Sequence, residues 1–321
     1  MKVNLFSFLS RFPKARIAVI GDLILDKFWF GEVSRLSPEA PVPVLSIAEE
    51  IDVLGGAANV GTNIKSLGGQ VSLFGIVGDD DSGVFLLDLL KNHNIDASRI
   101  ITAPSYVTPC KTRVIGRGAM AQQIVRIDKE RKGVSFSKSI ENKIIKWISS
   151  DMGSYDLVVI SDYAKGCITP KIAESVIEIS KLKNKKVIAD TKPINIGYYR
   201  NAYLIAPNAK EATEITGTSD LDKAGRTIQK MLNSNVLITR GGDGMILFEK
   251  NNQTDLRTKE RKVFDPVGAG DTAMAGLALS LAVGAPLKDA ARIANHAAGI
   301  VITKRGTATV SIKELKADIL R

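Results

Sequence analysis

Short apolar runs and longer segments with helical periodicity alternate through most of the chain. Six runs have the pattern of buried strands, at 16–22, 71–78, 155–162, 185–192, 202–208 and 235–242. Five segments between or beside them have helical spacing, at 57–69, 81–94, 170–182, 209–216 and 220–233. This alternation is typical of α/β proteins, in which helices cover both faces of a mainly parallel sheet. Several runs end in polar residues, at the edge where such sheets bind ligands.

The last third of the chain is predicted to be helical. Apolar residues recur at helical spacing in 269–284, 287–304 and 311–320. Ser311 and Glu314 have the spacing of a capping box, which predicts the start of the last helix.

Two stretches interrupt the alternation, at about 27–47 and 107–128. The first combines three prolines with aromatic and β-type residues, and the second has two strand-like runs around a Gly-rich turn. Because neither contains a helical segment, we predict that they form a small separate β-sheet, a lid over the ligand edge of the main sheet. Two surface hairpins without a role are the alternative.

Composition narrows the class of protein. The chain has 321 residues, 45% of them hydrophobic, which is enough for a large core. Two cysteines and two histidines provide neither a disulfide framework nor a multi-histidine metal centre. No apolar run is long enough to span a bilayer, and the first residues lack a signal-peptide pattern. We therefore expect a cytoplasmic protein without a membrane partner.

The formal net charge of +10 suggests either a solvated basic surface or an anionic ligand. A phosphorylated small molecule suits this charge. No dense Lys/Arg stripe with interleaved aromatic residues is present, so we expect no nucleic-acid partner.

Residues 265–272 read DPVGAGDT, with a carboxylate directly behind three small residues. Gly268, Ala269 and Gly270 allow backbone amides to approach a bulky anion, and the predicted helix that begins there offers unpaired N–H groups. Asp271 follows in the first turn, where it can receive a proton from a substrate hydroxyl. We expect the helix dipole to keep Asp271 ionised and weakly basic, which suffices for phosphoryl transfer. An aspartate that only stabilises the helix terminus is the alternative.

Two other nucleotide-binding motifs are not indicated. The chain has no GxxxxGK[ST] sequence, which excludes a P-loop ATPase. A GxGxxA pattern occurs at Gly116, Gly118 and Ala121, but a strand-like run follows it, whereas a dinucleotide fingerprint requires a helix.

Three motifs in this order resemble the signatures of the ribokinase (PfkB) family of carbohydrate kinases. DPVGAGDT resembles the C-terminal signature, GGAANVGTNIKSLGG (55–69) the N-terminal signature, and PNAKE (207–211) the NxxE motif. The resemblance extends from about residue 14 to the C-terminus and implies a ribokinase-like α/β fold, with residues 1–321 as one kinase domain. Within the family, SRLSPEAPVPV and SDYAKG are most similar to kinases of D-glycero-β-D-manno-heptose 7-phosphate.

The resemblance assigns roles on the nucleotide side of the site. It implies that Asp271 is the catalytic base, that the 268–271 amides bind the transferred phosphoryl group, and that Glu211 organises Mg²⁺ through bound water. Asp265 resembles a carboxylate that helps to bind a monovalent cation such as K⁺, although Pro266 and Val267 replace the Val-Thr pair of similar heptose kinases. The residues implied to bind ATP are Asn208, Ala209, Lys210, Glu211, Thr239, Gly241, Gly242, Gly244 and Asn295. A plain hairpin at 239–244 and a packing role for Asn295 remain alternatives.

On the sugar side, carboxylates at strand ends can accept hydrogen bonds from hydroxyls, glycines allow close approach, and cations can bind a phosphate. The predicted substrate-binding residues are Asp22, Gly55, Gly56, Asn59, Arg113, Asp162, Lys165 and Lys192. The candidate cations for a 7-phosphate are Lys111, Arg113, Arg126, Lys165 and Lys192. Among these we favour Lys165, Arg113 and Lys192, in that order.

The resemblance implies ATP-dependent phosphorylation of the anomeric O1 of heptose 7-phosphate, giving the 1,7-bisphosphate in ADP-heptose and lipopolysaccharide core synthesis. It also implies a homodimer formed through the lid. No adenylyltransferase motif is present, so a separate phosphatase and a separate adenylyltransferase would complete the pathway. The alternatives are a kinase of another sugar phosphate or a nucleoside, and a sugar-phosphate-binding regulator without turnover.

Overall fold

The computed structural model of the chain describes residues 5–117, 122–131, 133, 136–250, 252–259, 261–304 and 306–320. Its strands are β1 (Arg16–Gly21), β2 (Leu23–Leu36), β3 (Pro43–Gly56), β4 (Gln70–Gly78), β5 (Ile100–Ala103), β6 (Cys110–Arg117), β7 (Gln122–Lys129), β8 (Leu157–Asp162), β9 (Lys186–Thr191), β10 (Leu204–Ile205), β11 (Asn235–Thr239), β12 (Met245–Glu249) and β13 (Asn252–Leu256). Its α-helices are α1 (Phe6–Leu9), α2 (Ala57–Ser66), α3 (Asp81–Asn92), α4 (Lys138–Asp151), α5 (Pro170–Leu182), α6 (Ala209–Thr216), α7 (Leu221–Leu232), α8 (Ala269–Ala282), α9 (Leu287–Val301) and α10 (Ile312–Leu320).

Nine of these strands form the large sheet, in the order β13-β12-β11-β10-β9-β8-β1-β4-β5. The pairs from β11 through β5 are parallel, and β12 and β13 add antiparallel to one edge. Side chains alternate across the sheet: Ile17 and Val19 of β1 pack with α2, α8 and α9, whereas Ala18 and Ile20 pack with α4, α5 and α7. The predicted mostly parallel sheet with helices on both faces is therefore confirmed.

Element boundaries follow the sequence pattern most closely in the helices. Helices α5 and α6 have the predicted bounds, and α10 begins at the predicted cap, where the Ser311 amide donates to Glu314 at 2.8 Å. The run at 202–208 forms only the two-residue strand β10, because Pro207 cannot donate to a sheet ladder. Helix α4 and the edge strands β5, β12 and β13 were not predicted.

The remaining four strands form a small sheet in the order β3-β2-β6-β7. β2 pairs parallel with β6, and the outer pairs are antiparallel. The β2–β3 hairpin is longer than the predicted 27–47, because pairing continues down to Leu23 and Gly56, beside the large sheet. Gly118 and Ala121 of the GxGxxA pattern lie outside the described residues, and a strand, β7, follows them.

Asp22 lies between β1 of the large sheet and β2 of the small sheet, so the two sheets meet there. Gly21 permits this meeting, since a Cβ at its position would lie 2.0 Å from the Ser161 carbonyl oxygen of β8. Within the described ranges, the helices are too short or too polar to cross a membrane.

Candidate active site

The site lies where the carboxyl ends of β1, β8, β9 and β11 meet the N-terminus of α8. Gly268 is the residue before α8 and has φ +81°, in the left-handed region that favours glycine. A Cβ there would lie 3.0 Å from Asn59 Nδ2. Helix α8 is buried from Asp271 to Leu281, so its first turn carries the Asp271 carboxylate into the interior.

Both oxygens of the Asp271 carboxylate accept hydrogen bonds from side chains. Asn59 Nδ2 donates to Oδ2 at 2.7 Å, and the Tyr163 hydroxyl donates to Oδ1 at 2.8 Å. Burial raises the pKa of Asp271 from 3.8 to about 6, although both hydrogen bonds favour the ionised form. Asp271 is therefore a stronger base than the sequence suggested, because desolvation outweighs the two hydrogen bonds that favour its ionised form. At neutral pH the group is still mostly ionised, yet it is a better proton acceptor than an ordinary aspartate.

Two clefts meet at the first turn of α8 and share Thr239, Gly270 and Ala273. Apart from the neighbouring residues and the backbone of its own helix, no described atom lies within 4 Å of a Cβ built at Gly270, so this part of the helix terminus can approach a large group. The first of the two clefts, called the polar cleft here, is lined mainly by Tyr163, Asp190, Lys192, Asn208, Glu211 and Met274. The second, the apolar cleft, is lined mainly by Gly242, Gly244, Val263, Pro266, Asn295 and Ile302.

In the polar cleft, Asn208 and Glu211 form the capping box of α6. The Glu211 amide donates to Asn208 Oδ1 at 2.9 Å, and the Asn208 amide donates to Glu211 Oε2 at 3.0 Å. Lys192 Nζ lies 2.6 Å from Glu211 Oε1, so this predicted substrate residue lies instead with the predicted nucleotide residues. Ala209 packs against the core and Lys210 is exposed on the helix.

Asp190, at the end of β9, also faces the polar cleft, and the sequence analysis did not select it. Burial and the nearby Glu211 carboxylate raise the pKa of Asp190 to about 7. None of the described side chains donates a hydrogen bond to its carboxylate. The sequence feature that could have identified Asp190 is its place at the polar end of the strand-like run 185–192, in the tripeptide DTK.

The predicted glycine turn after β11 is a hairpin to β12, and it also lines the apolar cleft. Gly244 has φ +84°, and a Cβ there would lie 2.1 Å from the Leu256 carbonyl oxygen. Asn295 Nδ2 donates to the Arg257 carbonyl oxygen at 3.1 Å while lining the same cleft. The turn at 239–244 and Asn295 therefore have structural roles, in the hairpin and in packing, and also line a cleft that could hold a ligand.

Asp22 and Asp162 were predicted to contact the sugar, and the structure gives both carboxylates other partners. Asp22 is fully buried and accepts hydrogen bonds from the backbone amides of Tyr163, Lys165 and Cys167 at 2.8–3.0 Å. Desolvation raises the pKa of Asp22 to about 6. Asp162 accepts from the backbone and from buried side chains, including the Tyr199 hydroxyl at 2.6 Å. These carboxylates hold the 163–167 turn, which in turn delivers Tyr163 to Asp271.

The sequence analysis did not select Asp26, whose carboxylate lies beside Gly55, one of the glycines predicted to contact the sugar. A Cβ at Gly55 would lie 2.3 Å from Asp26 Oδ2, so the glycine makes room for this carboxylate. Arg113 NH1 lies 2.6 Å from Asp26 Oδ1. Gly56, with φ +57°, forms the turn into α2 that places Asn59 beside Asp271.

The predicted cation-binding aspartate, Asp265, binds backbone groups. Its two carboxylate oxygens accept from the amides of Val267 and Gly306, at 3.0 and 3.1 Å. No group of three or more His, Cys, Asp or Glu residues with metal-ligand geometry occurs in the part of the chain that the structure describes.

The family model described as pfkB family carbohydrate kinase matches residues 14–314. Two curated relatives are both named bifunctional protein HldE. The one from Trichlorobacter lovleyi is 40% identical over 320 residues, which cover 98% of this chain and 64% of the relative. The one from Shewanella baltica is 41% identical over 321 residues, covering 98% and 65%. The chain therefore spans slightly less than two thirds of the length of these relatives.

Solved structures with low sequence identity share the fold. Phosphofructokinase-2 from Escherichia coli in complex with potassium has a TM-score of 0.79 at 19% identity, over 95% of this chain and 98% of that chain. Ribokinase from Arabidopsis thaliana complexed with ribose and ATP has a TM-score of 0.74 at 17% identity, with the same coverage. The predicted ribokinase-like fold is confirmed.

Proposed function

This chain belongs to the pfkB family of carbohydrate kinases, and from that premise we propose that it transfers the γ-phosphoryl group of ATP to the anomeric O1 of D-glycero-β-D-manno-heptose 7-phosphate. The products are the 1,7-bisphosphate and ADP. The observation that carries the proposal is Asp271, a buried carboxylate with a raised pKa at a glycine-rich helix terminus where two clefts meet. The resemblance of SRLSPEAPVPV and SDYAKG to heptose 7-phosphate kinases supports the choice of sugar.

In the proposed reaction, Asp271 receives the O1 proton as O1 bonds to the γ-phosphorus and the bond to the leaving ADP oxygen breaks. Each carboxylate oxygen can accept more than one hydrogen bond, so the acceptor hydroxyl can bind while Asn59 and Tyr163 hold the carboxylate. The amides of Gly268, Gly270 and Asp271 would bind the transferred group, whereas the Ala269 amide donates to the Pro266 carbonyl oxygen at 3.3 Å. Because phosphoryl transfer depends mainly on positioning and charge stabilisation, this arrangement matches its demands.

ATP would place its base in the apolar cleft and its phosphates in the polar cleft. The glycines at 241–244 leave the backbone accessible there, and nearby apolar side chains suit a planar base. The residues of the polar cleft suit Mg²⁺, because Asp190 and Glu211 supply carboxylate oxygens there. Burial, together with the charge of Glu211, already raises the pKa of Asp190. Mg²⁺ would neutralise phosphate charge, and these two carboxylates would hold it together with the ATP phosphates. A K⁺ requirement through Asp265 remains part of the proposal.

We also propose that the chain acts as one kinase unit whose small sheet is a lid and a dimer surface. The support is a set of exposed apolar side chains on its strands and hairpin tip: Val33, Leu36, Val42, Ile47, Ile51, Ile124, Val125 and Ile127. Exposed apolar side chains concentrated on one small sheet are typical of protein interfaces. Light scattering should give a dimer mass, and Leu36→Asp with Ile127→Asp should give a monomer.

The test of the reaction is ADP release with Mg-ATP and heptose 7-phosphate. Parallel reactions contain the α-anomer, fructose 6-phosphate, ribose or no sugar. Asp271→Asn, which keeps the shape of the side chain, should lower kcat by about 10²- to 10⁴-fold. Turnover with another acceptor but not with heptose 7-phosphate would support a sugar kinase and reject heptose 7-phosphate as its substrate. Undiminished turnover by Asp271→Asn would reject the assigned base.

A further inference from the structure

Four of the five cations predicted to bind the acceptor's phosphate are already paired with carboxylates. Arg126 Nε lies 2.8 Å from Asp128 Oδ1. Arg113 pairs with Asp26 at 2.6 Å. Lys165 Nζ lies 2.7 Å from Glu130 Oε2. Lys192 pairs with Glu211 at 2.6 Å, on the nucleotide side of the site. A phosphate that bound any of these would have to displace a carboxylate partner.

Lys111 differs from them in its charge environment. It lies on β6, beside Asp26 of β2 and Asp128 of β7 in the strand register. Both neighbouring carboxylates are engaged elsewhere: Asp26 with Arg113, and Asp128 with Arg126 through two bonds of 2.8 Å. No carboxylate of a described residue lies within ion-pair distance of Lys111. Together, Lys111 and these two ion pairs therefore carry one net positive charge.

The ammonium of Lys111 is half-buried as well as unpaired. Burial lowers the pKa of Lys111, which shows that its charged form is poorly solvated there. Its Nζ lies 5.4 Å from the centre of the Tyr163 ring, an attractive contact that does not neutralise the charge. A dianionic ligand would supply the missing partner.

The contacts of Tyr163 show on which side of Asp271 the Lys111 ammonium lies. Its ring contacts two lysines, Lys111 of the small sheet and Lys192 of the polar cleft, at 5.4 and 5.2 Å. Its hydroxyl binds Asp271 at 2.8 Å. Lys192 is on the side assigned to ATP, whereas Lys111 lines neither cleft and lies towards the small sheet. A ligand on Lys111 would thus belong to the acceptor.

We infer that Lys111 binds the phosphate monoester of the acceptor sugar and so selects phosphorylated over unphosphorylated acceptors. The inference rests on the proposed function, in which the acceptor carries a phosphate at the end opposite its reacting hydroxyl. Such a phosphate would extend from Asp271 towards the small sheet. Its contact with Lys111 is the same before and during the reaction, so it should lower KM more than it raises kcat.

The experiment compares Lys111→Met, Lys111→Arg and the wild type with heptose 7-phosphate and with the same heptose lacking phosphate. Lys27→Met is the matched control, a lysine of the same sheet that pairs with Asp52. Lys111→Met should lower kcat/KM for the phosphorylated acceptor by about 30-fold, mostly through KM. It should change kcat/KM for the unphosphorylated acceptor by no more than about twofold. Lys111→Arg should restore much of the loss, and Lys27→Met should resemble the wild type.

Thermal unfolding serves as the folding control, and kinetics are compared only for variants that unfold at the wild-type temperature. An equal loss with both acceptors, or a loss confined to kcat, would overturn the inference by placing Lys111 in the transfer step. A wild type that prefers unphosphorylated sugars would reject both the inference and the proposed function. If the wild type uses a different sugar phosphate, and Lys111→Met selectively impairs it, heptose is rejected and the role of Lys111 is supported.

Discussion

Replacing Tyr163 with phenylalanine tests how the protein sets the basicity of Asp271. The change removes one hydroxyl, which donates to Asp271 Oδ1 at 2.8 Å. It keeps the ring that contacts Lys111 and Lys192. Asn59 still donates to the other oxygen of the carboxylate. The substitution therefore isolates one of the two hydrogen bonds that favour the ionised form.

The direction of the effect follows from which form of Asp271 is active. The carboxylate accepts the proton, so activity is lost as the pH falls through its pKa, which is about 6 in the wild type. Removing a donor to the charged form raises that pKa, so the acidic limb of the profile should move to higher pH. A hydrogen bond to a charged group contributes about 1.5 kcal/mol at the low end of its range, which corresponds to about one pH unit.

The assay is kcat/KM for the acceptor between pH 5 and 8.5 at saturating Mg-ATP. With a shift of one unit, the wild type should exceed Tyr163→Phe by about eightfold at pH 5.5 and by almost nothing at pH 8. Tyr198→Phe, on a half-buried tyrosine that does not contact Asp271, is the matched control and should keep the wild-type profile.

A limb that stays in place, or moves to lower pH, would refute the reasoning about Asp271. A uniform loss at all pH values would also contradict it, since that result would indicate a role for Tyr163 in substrate binding instead of in the pKa of the base.

Three further experiments test other parts of the site. Asp22→Asn should destabilise the fold by about 2 kcal/mol in urea unfolding, because an amide cannot accept all three backbone N–H bonds; unchanged stability would contradict this role. Glu211→Gln should raise the Mg²⁺ concentration for half-maximal velocity by about tenfold, whereas Glu214→Gln, exposed on the same helix, should not; equal Mg²⁺ requirements would reject Glu211 as a metal-organising residue. Gly242→Ala should raise the KM for ATP and keep the unfolding free energy within about 0.5 kcal/mol of wild type, since no described atom outside its chain neighbours lies within 4 Å of the added Cβ. Gly244→Ala should lower stability, because its Cβ would lie 2.1 Å from the Leu256 carbonyl oxygen. A higher stability for Gly244→Ala than for Gly242→Ala in thermal unfolding would contradict this assignment.

The local sequence pattern was sufficient to predict most of the scaffold, although not α4 or the edge strands β5, β12 and β13. Alternating strand-like and helical runs indicated the mostly parallel sheet, and α5 and α6 have the predicted bounds. Hydrophobic periodicity and capping act over a few residues, so they can be read from neighbouring positions. For the same reason the glycine turn at 268–270 and the position of Asp271 in the first turn of α8 could be predicted.

The partners of the charged side chains were decided only by the tertiary structure. Asp22 and Asp26 lie at similar places after the first strand, yet Asp22 holds a buried turn whereas Asp26 pairs with Arg113 near the predicted sugar site. Lys165 has a carboxylate partner in Glu130 and Lys111 has none among the described residues, a difference that the sequence around each lysine does not reveal.

The properties of Asp271 depend on residues distant in the chain. Asn59 and Tyr163, which hold its carboxylate, are 212 and 108 positions away. The sequence alone determined that a carboxylate would stand at the start of this helix. Its burial, its two donors and its raised pKa arise only when three separate segments pack together, because desolvation and hydrogen bonding depend on distance in space.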